Sequence, residues 1–65
     1  SEAIALQCVN KECIQRNNGN TDDALRFLLE KGKTYTFRYE NSRGEAAQVT
    51  AEVGDAPLTV TGYME

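Results

Sequence analysis

The sequence predicts an α+β domain in which one or two N-terminal helices pack on a three-stranded antiparallel β-meander, within a single small domain spanning residues 1–65. Three observations carry that expectation. Tyr35, Phe37 and Tyr39 alternate with Thr34, Thr36, Arg38 and Glu40, a period of two that puts three rings on one face of a strand. Two segments further along alternate in the same way. Upstream, residues 1–18 are rich in helix formers, and residues 22–32 open on acids and close on Lys31-Gly32, the charge order of a capped helix.

In the first stretch Glu2, Ala3, Ala5, Leu6, Gln7, Lys11, Glu12, Gln15 and Arg16 favour a helix. Ser1 suits its start and Asn17-Asn18-Gly19 its exit. Leu6, Val9 and Cys13 would form its apolar stripe, with Ile4 and Cys8 to the side. The alternative is an N-terminal β-hairpin, which makes the order ββαβββ. Ile4, Leu6 and Cys8 alternate with Ala5, Gln7 and Val9, and Asn10-Lys11 would be the turn. A two-residue turn prefers glycine in second place, so the helix leads. Cys8 and Cys13 separate the two readings. In a helix they lie about 7.5 Å apart along the axis, too far to bridge; in the hairpin they face one another. Two reduced cysteines in a cytoplasmic protein are the expectation.

In the second stretch Thr21 precedes Asp22 and Asp23, and Gly32 ends the run. Leu25, Leu28 and Leu29 share a helical face, whereas Phe27 points roughly 160° away from Leu25. Such a ring needs a cover from the first helix, or else it is exposed and marks a contact site. The aromatic strand follows over residues 33–40. Asn41-Ser42-Arg43-Gly44 reads as a type I turn closed by a left-handed glycine. The return strand, residues 45–53, sets Ala47, Val49 and Ala51 against the rings, small opposite large. After Gly54-Asp55-Ala56-Pro57, a third strand over 58–64 has Leu58, Val60 and Met64 on one face and Thr59, Thr61 and Tyr63 on the other. Gly62 interrupts the apolar face, as at a bulge or beside a neighbouring ring.

Sixty-five residues leave little room for a catalytic cleft with its supporting groups. Ten acids against seven bases give a net charge of −3, which is not the balance of a nucleic-acid binder. Histidine is absent from the sequence, which removes the commonest general base and metal ligand. The two cysteines lack the second ligand pair a zinc site needs. No nucleophile stands beside a base and no glycine loop cradles phosphate. No cofactor, no metal and no enzymatic activity are therefore expected. The chain also has no apolar run of membrane length and no signal-peptide pattern.

Asn20-Thr21-Asp22-Asp23-Ala24-Leu25 followed by Leu28-Leu29-Glu30 resembles the last helix of a ubiquitin-associated domain, a family without a sheet. Residues 24–45, with Phe37, Tyr39 and Gly44-Glu45, resemble the opening of the WYL ligand-binding domain, whose Trp-Tyr-Leu signature this sequence does not contain. Neither resemblance carries a function over.

The expected function is that of a small binding module acting by protein–protein interaction, in a regulatory or inhibitory role. Its candidate contact residues are Phe27 and the basic set Arg26, Lys31, Lys33, Arg38 and Arg43, which stand against only Glu30 and Glu40 in the same stretch. The alternative is an accessory protein that touches nucleic acid through this basic face. Self-association is a third expectation, because an open sheet leaves edges that can pair across a two-fold axis.

Overall fold

The computed structural model describes residues 3–20 and 22–64. They form six antiparallel strands: β1 (Ala3–Val9), β2 (Glu12–Asn17), β3 (Leu25–Leu28), β4 (Thr34–Glu40), β5 (Ala46–Glu52) and β6 (Leu58–Tyr63). A four-stranded sheet has the order β3-β2-β1-β6, and β4 and β5 form a second sheet of two strands. β1, β2 and β3 lie side by side in chain order, β4 pairs with β5, and β6 returns to lie beside β1. β5 and β6 touch without sharing a ladder.

The interior forms where the two sheets face each other. The alternating residues Ile4, Leu6 and Cys8 of β1 and Cys13 of β2 are buried from one side. Phe37, Ala47, Val49, Ala51 and Val53 are buried from the other, with Tyr35, Tyr39, Phe27 and Val60 packed around them. The three rings of β4 therefore do share one face. Tyr35 stands opposite Ala51, Phe37 opposite Val49 and Tyr39 opposite Ala47, the large-on-small register expected. The turn between them also forms as read: the Gly44 N–H donates to the Asn41 carbonyl and Gly44 takes φ +82°.

The fold class differs from expectation. The chain is all-β, with no helix among the described residues, so neither N-terminal helix exists and the α+β class is overturned. Residues 3–17 form the hairpin instead. Burying every second residue of β1 against the rings outweighs the weak helical preference of Ala, Leu, Gln and Glu. Asn10, not a following glycine, supplies the positive φ of the two-residue turn, at 59°, a conformation asparagine tolerates. Cys8 pairs directly with Cys13, and their Cα atoms are 4.1 Å apart and joined by a disulfide. Neither cysteine is free, against the reduced pair expected.

The second expected helix is a turn followed by the short strand β3. Asp22 does not cap a helix; its N–H donates to the Asn20 side chain at 2.9 Å, an Asx turn. Both family resemblances rested on a helix here and end with it. The proposed caps Ser1 and Thr21 lie outside the described residues. The expected meander is corrected too: β6 pairs with β1, not with β5. Gly62 makes room for the backbone of β5 rather than for a ring.

Candidate interaction face

The outer side of the four-stranded sheet is where apolar side chains meet solvent. Along β1, β2 and β3 the register sets Val9, Glu12 and Leu28 in one row, and Gln7, Ile14 and Arg26 in the next. Because strand side chains alternate, all six point away from the core. Val9 is 58% exposed and Leu28 76% exposed, while Ile14 is half-buried between them. Together they line a shallow open depression of about 680 Å³. A large exposed aliphatic side chain is ordinary when isolated; three on adjoining strands of one face, lining one depression, form a patch.

Phe27 sits at the edge of this face but turns inward. It pairs with Cys13 on β2, and its ring packs on Phe37 with centroids 5.1 Å apart and planes tilted by 59°, a favourable aromatic geometry. Leu25 and Phe27 fall on the same side of β3, which explains why they diverge when read as a helix.

The basic residues do not converge. Arg26 lies on the outer face of the four-stranded sheet, and Arg38 on the outer face of the two-stranded sheet, on the opposite side of the molecule. Lys31 and Lys33 belong to the β3–β4 connection and Arg43 to the β4–β5 turn. Each of these four is also matched by a carboxylate. Lys31 Nζ lies 2.6 Å from Asp55, Lys33 Nζ 2.7 Å from Glu30, Arg38 3.0 Å from Glu40 and Arg43 2.7 Å from Glu45. Exposed pairs of this kind add little stability, but they cancel the local positive field. Hydrogen bonds from the Asn41 and Arg43 side chains, helped by the Arg43 charge, hold the Glu45 carboxyl below its ordinary range. Arg26 alone of the five has no ion pair among the described residues.

Among the described residues no group of three or more acidic or thiol side chains is arranged to hold a metal ion. No helix is long and apolar enough to cross a membrane. Sequence reasoning missed this face because Val9 and Leu28 were each assigned to a helical stripe and Ile14 to no face; the hairpin reading places Val9 and Ile14 on paired strands, but not Leu28 beside them. No protein-family model, curated protein or solved structure matches the chain.

Proposed function

We propose that the protein is a small non-enzymatic binding module that recognises another protein, in a regulatory or inhibitory role, through the outer face of β1, β2 and β3. The observation that carries this reading is the solvent-facing set Val9, Ile14 and Leu28 on three neighbouring strands, which shares its face with one acid, Glu12, between Val9 and Leu28, and one base, Arg26, beside Ile14. Exposed aliphatic side chains interspersed with a few charged ones are compatible with a protein contact. Contact with nucleic acid has less support, because four of the five basic residues already face carboxylates.

The buried disulfide bears on where this happens. Cys8 and Cys13 are 2% and 1% exposed, and a structural disulfide persists in an oxidising compartment. That supports a site of action outside the reducing cytoplasm, in place of the cytoplasmic location expected from two thiols.

Immobilised wild-type protein should retain a specific partner from extract of the native source, and a Val9→Ser/Leu28→Ser double variant with an unchanged circular dichroism spectrum should not. Equal capture by both proteins would remove this face from the reading.

A further inference from the structure

We propose that a second copy of this chain pairs antiparallel with the free edge of β3, about a two-fold axis through Phe27, to join the two four-stranded sheets into one. β3 is the outermost strand of its sheet. Its sequence is Leu25-Arg26-Phe27-Leu28, apolar on the face of Leu25 and Phe27, with Leu28 beside Arg26 on the other. Three apolar residues in four is more than a border strand usually carries. Leu25 is 50% exposed and Leu28 76% exposed. Of the other edge strands, β5 and β6 lie against each other, and β4 carries Arg38 and Glu40 on its polar side, the kind of charged border that discourages pairing. β3 has no such guard beyond Arg26.

The backbone fixes how the copies would meet. The Leu29 N–H donates to the Lys11 carbonyl at 2.8 Å, and Phe27 stands opposite Cys13. Alternation then turns the N–H and C=O groups of Leu25 and Phe27 toward β2, and those of Arg26 and Leu28 outward. The outward groups have no hydrogen-bond partner among the described residues. An axis through Phe27 sets Arg26 opposite Leu28 of the other copy and Leu28 opposite its Arg26. Both pairs are then hydrogen-bonded, each exchanging two N–H···O bonds. An axis through Arg26 would set two guanidinium groups directly opposite, which is unfavourable. An axis through Leu28 would call on the Glu30 N–H, which already donates to the Tyr35 hydroxyl at 3.0 Å.

Charge complements this register. Glu12 shares a row with Leu28, so Arg26 of the second copy enters the row that holds Glu12, two strand spacings away, about 9.5 Å between Cα atoms. Long side chains close that span, and the contact occurs twice by symmetry. On the inner side the two Phe27 rings become neighbours and each Leu25 meets the other copy's Leu29. The pairing reaches the outer face only at its margin, beside Leu28, and leaves Val9 and Ile14 uncovered. It therefore goes beyond the partner reading above, and either can fail without the other.

Sedimentation equilibrium of the full chain from about 10 μM to 1 mM should show a mass rising from monomer to dimer. Over the same range, amide exchange at Arg26 and Leu28 should slow with concentration, while Leu25 and Phe27 stay protected throughout. Arg26→Pro removes one outward donor and no bond of the internal ladder, and should weaken self-association at least about tenfold with the unfolding midpoint nearly unchanged. A monomer mass at every concentration overturns the proposal. So does a dimer in which the Arg26 and Leu28 amides exchange as they do in dilute solution, or one that Arg26→Pro leaves intact. If the proline variant does not fold, the exchange pattern of the unaltered chain decides alone.

Discussion

A Cβ placed on Gly62 would lie 2.6 Å from the carbonyl oxygen of Gln48. β6 therefore crosses β5 at a separation that only glycine allows, and the two strands touch there without sharing a ladder. The obstacle is backbone and cannot rotate away.

Gly62→Ala should consequently destabilise the fold by about 1–3 kcal/mol. At Gly54, where an added Cβ meets nothing within 4 Å, the same substitution should change stability by less than about 0.5 kcal/mol. Denaturant titration of both variants checks the contrast. Equal midpoints would mean that the sheets are further apart than described.

Replacing Cys8 and Cys13 together by alanine should cost about 2 kcal/mol, the loop-closure value for a bridge spanning so few residues, plus the loss of buried sulfur contacts. The hairpin register should survive, because Ile4 and Leu6 still need their place in the core. Chemical denaturation with and without reductant, alongside the double variant, measures this.

The carboxyl of Glu45 titrates below its ordinary value of 4.5 because Asn41 and Arg43 hydrogen-bond its charged form. A depressed folded-state value contributes stability that is present above the unfolded pKa and lost as pH falls through the folded one. Asn41→Ala removes the 2.9 Å donor to Glu45 Oε1 and should move the Glu45 titration up toward 4.5. The pH dependence of unfolding below that point should flatten. Carboxyl chemical shifts followed through an acid titration report both effects.

Phe37 is 8% exposed at the centre of the interior, and Phe37→Ala should cost about 3–5 kcal/mol. That is a large share of what a domain of this size possesses. Phe27→Ala should cost less, about 1–2 kcal/mol, because the residue is only partly buried. A Phe27 variant as damaging as the Phe37 variant would make the edge strand part of the core proper.

The β4–β5 hairpin was legible in its sequence, although the pairing of β6 with β1 was not. Tyr35, Phe37 and Tyr39 alternate without competition from helix formers, and Asn41 with Gly44 names its own turn. The first half of the chain was not, because its signals conflict. Ala5, Leu6, Gln7 and Glu12 speak locally for a helix, whereas Ile4, Leu6 and Cys8 speak for a strand only once there is an opposing sheet to bury them. Propensity is a local quantity; the burial that overrode it arises between residues far apart in the chain. The direction of Phe27 was the available clue: a ring stranded on a helix but in line with Leu25 on a strand. The outer face was hidden for the same reason. Val9, Ile14 and Leu28 come from three strands, and they share a face only once the β1–β2 and β2–β3 pairings are both known.

Ile4 pairs with Asn17 on one side and with Gly62 on the other. The first of these contacts closes a short loop; the second spans almost the entire polypeptide. During synthesis β1 would emerge long before its second neighbour, and one of its backbone edges would stay unpaired until β6 arrived. Folding should then be limited by that final closure, on the scale of milliseconds to seconds common to chains dominated by distant pairings. Until then β1 has only its hairpin partner in the sheet, so the speed of that closure sets how long its free N–H and C=O groups stay open to pairing with other chains.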